Sequence, residues 1–298
     1  MKYKVIIPSA GIGSRLNVHT KGLNKALVSV NNKPMISYVI EKFPRDVEIV
    51  IALGYDAENL KDYLGLAHGD RELTFVEVNP FVGVGSGLGY SILQCKDHLQ
   101  CPFVFCTNDT LVLDSIPPPT ADWVGYSNEN VETESYYRKV QFNKNGILEK
   151  LREKDEVLLS NTKPYIGLCG IRSYKEFWRE MENGQNYGSI ERGESSAIER
   201  PAKNKMAVLT KGFSWFDVGN VEQLRKTREA IKTDSTPNIL EKEDECIWFV
   251  SDRVIKYNSD PDFIKNRVKR SKMLRNFVPR ILEQRKNMYC YEYISGEV

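Results

Sequence analysis

Four short apolar runs, at 3–8, 47–53, 73–78 and 102–107, alternate with helix-like stretches at 34–43, 56–65 and 87–99. Runs this short and this uniformly apolar fit strands buried on both faces, and strands joined by helices predict parallel pairing with helical crossovers. The expectation is an open α/β sheet whose ligands lie at the carboxyl ends of the strands. Beyond Pro117-Pro118-Pro119, a rigid connector, the runs 121–126, 138–142 and 164–172 predict more irregular β structure. At 298 residues there is room for one large domain, or for one domain and a fragment of another.

The first run feeds the loop Ala10-Gly11-Ile12-Gly13-Ser14-Arg15-Leu16, and Lys25-Ala26-Leu27 follows. Glycines let backbone N–H groups approach a ligand closely, and consecutive N–H groups form an anion-binding concavity. Arg15 and Lys25 beside that concavity ask for a substrate with several negative charges, the simplest being a nucleoside triphosphate. Two commoner phosphate loops are excluded. A dinucleotide-binding fingerprint needs a third glycine where Leu16 stands, and a Walker loop needs Gly-Lys-Ser/Thr where Gly13-Ser14-Arg15 stands.

A formal net charge of +2 gives no electrostatic case for nucleic acid or an anionic membrane as partner. The N-terminus enters a strand without a signal peptide, and no apolar run approaches transmembrane length. The six cysteines, at 95, 101, 106, 169, 246 and 290, show neither a C-x-x-C pair nor zinc spacing. Cys101, Cys106 and Cys169 lie in apolar runs and read as buried thiols, so a soluble cytoplasmic protein is expected. His19, His68 and His98 are scattered without ligand spacing, and no catalytic histidine is proposed.

The pattern G-x-G-[ST]-R-L with a downstream K-[AP]-L resembles the signature of the sugar-phosphate nucleotidylyltransferases. Five later segments resemble that family in the same order. Asn31–Ile40 looks like its K-P-[ML]-I-x-Y helix start, with Pro34 placed in the first helical turn. Gly83–Gly89 resembles its second glycine loop, and Phe103–Asp109 its apolar strand ending in a metal-binding aspartate. Tyr165–Ile171 is similar to an acceptor-site strand, and Trp215–Asn220 to the segment carrying a second metal-binding aspartate. The resemblance covers roughly residues 1–230.

It implies an α/β fold with a mostly parallel, Rossmann-like open sheet and helices on both faces (GT-A-like), plus a small β-rich C-terminal segment. It implies transfer of a nucleotidyl group from an NTP to a phosphorylated sugar or alcohol, with release of pyrophosphate. Mg²⁺ would be held by Asp109 and Asp217, the positions that match the family's metal pair. Other readings of the two stay open: a turn-initiating Asp109, and Asp217 as N-cap of a helix beginning near Val221. Ala10, Gly11, Gly13, Ser14, Gly85 and Ser86 would contact the nucleotide, while Arg15 and Lys25 neutralise its phosphates. The family usually has proline before this lysine. Asn24 stands there instead, and Lys21 is a weaker rival for the lysine role. Glu153, Lys154, Gly167 and Glu194 would contact the acceptor, although Glu149–Lys154 also reads as an ordinary solvated charge run.

The tail carries a second resemblance. A hairpin over 247–257, a basic helix-like stretch over 261–274 and a strand near 288–294 are similar to the start of an aminoglycoside-phosphotransferase or choline-kinase-like domain. Lys256 falls where the ATP-binding lysine of those enzymes does. The expected organisation is therefore a nucleotidylyltransferase domain at 1–235 and a partial kinase N-lobe-like segment at 236–298. No glutamate in 261–274 is available to pair Lys256, so the tail should not phosphorylate anything. It would be a piece of a longer bifunctional protein whose kinase domain is otherwise missing, or a vestigial lobe.

Choline-type kinases paired with cytidylyltransferases lean the nucleotide toward CTP, and the product toward a precursor for surface polysaccharide or lipid. A phosphocholine-like cytidylyltransferase is the alternative within this class, and Trp123, Tyr126, Tyr136, Tyr137 and Trp215 could then cage a quaternary ammonium. Such aromatics are more often core or sheet-face residues. From another class comes a non-catalytic nucleotide-binding partner of the fused kinase. An oxidoreductase is disfavoured by the missing third glycine.

Overall fold

The computed structural model describes residues 2–16, 22–129, 136–154, 156, 161–184, 189–203, 207–232, 239–240 and 242–294. Contacts divide the chain into two compact units. The first comprises Met1–Ile12, Val39–Tyr55 and Arg71–Val218; the second comprises Gly13–Tyr38, Asp56–Asp70 and Gly219–Val298. Position 235 falls inside the second unit, which also takes in two segments from the first quarter of the chain.

The first unit is built on a nine-stranded sheet. Lys4–Ser9 lies at its centre, parallel to Phe103–Cys106 on one side and to Ile49–Leu53 on the other, and Leu73–Glu77 extends the parallel set. Ile49–Leu53 and Phe103–Cys106 are buried at every position, which is why they read as unbroken apolar runs. Leu73–Glu77 is the edge strand, and Phe75 is accordingly exposed. On the other side the sheet turns antiparallel. The ten-residue strand Thr162–Ile171 pairs with Phe103–Cys106, Trp123–Ser127 and Lys139–Phe142. Leu148–Arg152 then pairs with Lys139–Phe142, and Leu209–Phe213 runs parallel to Trp123–Ser127.

Helix Leu88–Gln94 packs on Lys4–Ser9 and Ile49–Leu53, and Tyr174–Asn183 packs on Ser195–Lys203. An aromatic cluster closes this core. The Phe103 ring stacks on Trp178 at 5.5 Å and meets Phe177 edge-on at 5.3 Å, while Trp178 Nε1 donates to the Leu99 carbonyl at 3.0 Å. Each fully buried aromatic of this kind contributes about 1.5–3 kcal/mol before conformational entropy is counted.

Local details differ from expectation. The helix expected over 34–43 is Met35–Ile40; Pro34 belongs instead to the two-residue strand Lys33–Pro34, paired with Ser29–Val30. The stretch expected as one helix over 87–99 is Leu88–Gln94 followed by a 3-10 turn at Lys96–His98. Cys106 and Cys169 are buried, but Cys101 is only half-buried because it precedes the strand rather than lying within it. Burial pushes the Cys106 thiol far above its usual range, and that of Cys95 to about 12.

In the second unit, Glu245–Val250, Arg253–Asn258, Met288–Glu292 and Ile281–Gln284 form an antiparallel sheet in that order. Helix Pro261–Leu274 starts as its sequence dictates. Asp260 accepts from the Asp262 N–H at 2.9 Å, proline occupies the first turn, and Ile264 and Val268 are buried. Trp248 anchors the sheet: fully buried, it stacks on Tyr257, meets Tyr63 edge-on and donates to Ser29 Oγ at 2.8 Å. Among the described residues, no helix is long and apolar enough to cross a membrane.

Candidate active site

Asp109 lies in the turn between Phe103–Cys106 and the short strand Thr110–Val112. That strand pairs antiparallel with Trp215–Asp217, so Asp217 stands opposite Thr110, and the Val218 N–H donates to the Asp109 carbonyl at 3.2 Å. One ladder therefore sets the backbones of the two aspartates at neighbouring positions. Asp217 Oδ2 accepts from the Tyr137 hydroxyl at 2.6 Å, and the Tyr137 ring meets Trp215 edge-on at 5.1 Å. Asp217 is not the cap of the next helix: Asn220 caps Val221–Ala230, its side chain accepting from the Gln223 N–H at 3.0 Å.

Several bonds seat the turn that carries Asp109. The Thr107 N–H donates to the Gly167 carbonyl at 3.0 Å, Thr107 and Thr110 hydroxyls meet at 2.9 Å, and Thr110 Oγ1 donates to the Ile166 carbonyl. Asn108 Nδ2 donates to Ser9 Oγ at 3.3 Å. Gly167 has φ +68°, and a Cβ there would fall 2.6 Å from Thr107 Oγ1. In this structure, then, glycine at 167 is required by the close approach of the Asp109 turn.

Two carboxylates suit Mg²⁺, which takes few protein ligands and fills its octahedron with phosphate oxygens and water. No group of three or more His, Cys, Asp or Glu that could hold a metal ion is gathered among the described residues.

Of the residues expected to contact the acceptor, Glu153 bridges two guanidinium groups. Arg138 Nε donates to its Oε2 at 3.0 Å and Arg192 lies 2.7 Å from its Oε1, while Arg138 also donates to the Arg192 carbonyl at 2.8 Å. Burial alone would raise the Glu153 carboxyl; the bonds and charges of Arg138 and Arg192 outweigh it and hold the group below its ordinary value. Lys154 is exposed, and its carbonyl accepts from the buried Lys139 ammonium at 2.7 Å. Glu194 is 2% exposed and accepts from the Tyr165 hydroxyl at 2.8 Å. Burial raises its carboxyl above the usual range. Among the described residues, neither Glu194 Oε2 nor Arg192 Nε, both buried, has a hydrogen-bond partner. A ligand hydroxyl would suit the first and an anionic oxygen the second.

The expected nucleotide contacts divide between the units. Ala10, Gly11, Gly85 and Ser86 lie in the first; Gly13, Ser14, Arg15 and Lys25 lie in the second. The Ala10 carbonyl accepts from the Tyr55 N–H at 3.0 Å, while Gly11, Ser14 and Arg15 are exposed. Gly13, at φ 72°, starts a tight turn closed by the Leu16 N–H on its carbonyl at 3.0 Å. Gly83 and Gly85 both have φ above +80°, and the Ser86 N–H and hydroxyl donate to the Gly83 carbonyl at 3.2 and 2.7 Å. Lys25 opens a 3-10 turn, Lys25–Leu27, whose Ala26 and Leu27 are buried. Lys21 lies outside the described residues. A cavity of about 720 Å³ in the second unit is lined by Leu27, Ser29, Arg228, Glu245 and Tyr257.

Of the five aromatic residues, among the described residues Trp123 is 2% exposed against Phe213, Tyr126 stacks on Phe142, Tyr136 is exposed, and Tyr137 meets Trp215 edge-on. Sequence reasoning missed Arg138, Arg192 and the bond from Tyr137 to Asp217. Arg192 precedes the Gly193-Glu194 that was singled out, a local signal that could have found it. Arg138 left no such signal.

No protein-family model matches the chain. It is 24% identical over 226 residues to the "Bifunctional protein GlmU" of Methanococcus vannielii, covering 72% of this chain and 51% of that one. It is 35% identical over 113 residues to the "Choline-phosphate cytidylyltransferase" of Streptococcus pneumoniae, covering 36% and 45%. The chain thus spans about half the length of the curated relatives it matches. A solved UDP-glucose pyrophosphorylase complexed with UDP-glucose superposes with a TM-score of 0.64 at 20% identity, over 77% of this chain and 98% of that one. A CTP:phosphocholine cytidylyltransferase from Streptococcus pneumoniae gives 0.59 at 20% identity, over 78% and 100%. The chain has the mixed α/β fold of those structures, and its relatives in sequence and structure are the sugar-phosphate nucleotidylyltransferases.

Proposed function

We propose that this chain transfers a nucleotidyl group from an NTP to a phosphorylated sugar or alcohol and releases pyrophosphate. The observation that carries it is the Asp109–Asp217 ladder, in the same compact unit as the Arg138–Glu153–Arg192 bridge. The transfer chemistry is assigned to residues 1–235, with 236–298 as an N-lobe-like appendage.

The acceptor phosphate oxygen attacks the α-phosphorus in line as pyrophosphate leaves. Two anions must meet, so their charge has to be neutralised before reaction. Asp109 and Asp217 would hold Mg²⁺, which supplies that neutralisation at the phosphate oxygens. Tyr137 orients the Asp217 carboxylate; Arg15 and Lys25 take up the remaining triphosphate charge. Arg192 faces the acceptor phosphate, and Glu194 Oε2 accepts from an acceptor hydroxyl. The nucleophile is already ionised, so no general base is needed.

Incubation with Mg²⁺, each of the four NTPs and a panel of sugar phosphates tests this by pyrophosphate release. Phosphocholine with CTP belongs in the panel because of the match to the choline-phosphate enzyme. The guanidinium-rich acceptor side and the undivided core packing of Trp123 and Tyr126 favour a hydroxylated acceptor over a quaternary ammonium. Release with no pair would sink the proposal.

A further inference from the structure

Lys25 sits on a backbone held from a distance. Asn24 is fully buried and does two things at once. Its side-chain Oδ1 accepts from the Ala26 N–H at 2.9 Å, capping the 3-10 turn, and its own N–H donates to Asp56 Oδ2 at 3.0 Å. Asp56 stands 32 residues away in sequence, at φ 50° before helix Ala57–Ala67. Its other oxygen is fixed as well, accepting from Asn59 Nδ2 at 2.7 Å. The Leu27 N–H then donates to the Asn24 carbonyl at 2.9 Å, closing the turn on which Lys25 is the first residue.

The backbone of Asn24 adds the second half. Its φ of −61° is the value a proline ring imposes, and its ψ of 138° is one that proline also adopts. Proline has no N–H, so at this position a covalent ring and the bond to Asp56 are alternative ways of fixing one conformation. With asparagine present, the carboxylate has to do it.

We propose that Asp56 is a positioning residue for the transfer reaction, fixing through the Asn24 N–H the turn from which Lys25 reaches the triphosphate. This rests on the reading of Lys25 given above. Asp56 touches no substrate; its contribution is to remove conformations in which Lys25 points elsewhere.

The test is a double-mutant cycle in the full chain, using the NTP and acceptor pair that gives pyrophosphate release. Asp56→Gly removes the carboxylate and suits φ 50°. It is expected to lower kcat about tenfold, the size of one lost charge-assisted bond, with acceptor KM little changed. Asn24→Pro restores the restraint on φ by covalent means while giving up the Oδ1 bond to the Ala26 N–H, so the effect is read within that background, where Asp56→Gly is expected to cost less than about twofold. Equal losses in both backgrounds would overturn the proposal, because Asp56 would then act through its own helix and not through Asn24. No loss in either background would overturn it too. The same cycle with Asp56→Asn, whose amide oxygen still accepts but without charge, should read the coupling at about threefold and decides the matter if Asp56→Gly fails to fold. No pyrophosphate release from the unaltered chain brings down the function and this role together; release without coupling brings down this role alone.

Discussion

Glu153 in the first compact unit and Glu245 in the second each lie between two cations, and the two clusters differ in what surrounds them. In the first unit Glu153 lies 3.0 Å from Arg138 and 2.7 Å from Arg192. In the second, Glu245 lies 3.4 Å from Lys256 and 3.1 Å from Lys242. Among the described residues, Arg192 Nε and, in the same unit, Glu194 Oε2 are buried without partners, whereas no side-chain atom of Glu245, Lys242 or Lys256 is. A buried unpaired polar atom costs about 1–3 kcal/mol, so a ligand that pairs with either atom would recover that cost. The Glu245 cluster is complete as it stands. Its carboxylate comes from the neighbouring strand, not from helix Pro261–Leu274, so it reads as a local strut for the hairpin.

The sharpest way to break this contrast is at the aspartates. Asp109→Asn or Asp217→Asn should lower kcat for pyrophosphate release by about 10²–10³-fold, as expected when charge stabilisation at the reacting phosphate is removed. A thermal melt on the same variants should show the fold intact. Next, Arg192→Ala should raise acceptor KM about tenfold, one charge-assisted bond, while leaving NTP KM alone. A change confined to NTP KM would move the acceptor elsewhere.

The third effect is on stability. The folded Glu194 carboxyl has its pKa raised above the unfolded value of about 4.3, so its contribution is fully present below that pH and is lost as pH rises through the folded value. Denaturant unfolding at increasing pH should show this loss, and Glu194→Gln should flatten it. Glu153 titrates on the other side: its lowered carboxyl stabilises above the ordinary value and is lost only as pH falls below it. The smallest effect is expected in the tail. Lys256→Ala should leave pyrophosphate release within about twofold, since an isolated, partly exposed ion pair contributes about 0–1 kcal/mol. A larger loss would make the Glu245 cluster part of the transfer machinery.

What was legible in the sequence was local. Continuous apolar runs gave the parallel strands because burial on both faces leaves no alternation to hide. The basic helix-like stretch at 261–274 and the helix start near Val221 were legible too, although the cap of the latter is Asn220 and not the Asp217 weighed for it. Asp109 and Asp217 were placed by resemblance, and the ladder then joined them. Local reasoning also had its errors. Pro34 reads as a first-turn residue, yet pairing with Ser29 drew it into a strand, and Cys101 reads as buried but lies just outside the run that would have covered it.

By itself, then, the sequence determined the order of strands and helices, the glycine turns and the residue types available for phosphate and metal. Only the tertiary structure decided which of them meet. Tyr137 finds Asp217 across 80 positions, Arg138 finds Glu153 across 15 and Asn24 finds Asp56 across 32. Each bond depends on strand register or on where a helix begins, and a shift of one residue would turn the side chain to the opposite face. Propensity and motif spacing act within a few residues, whereas these contacts arise only when distant segments are packed at fixed register, so no window of the sequence contains them.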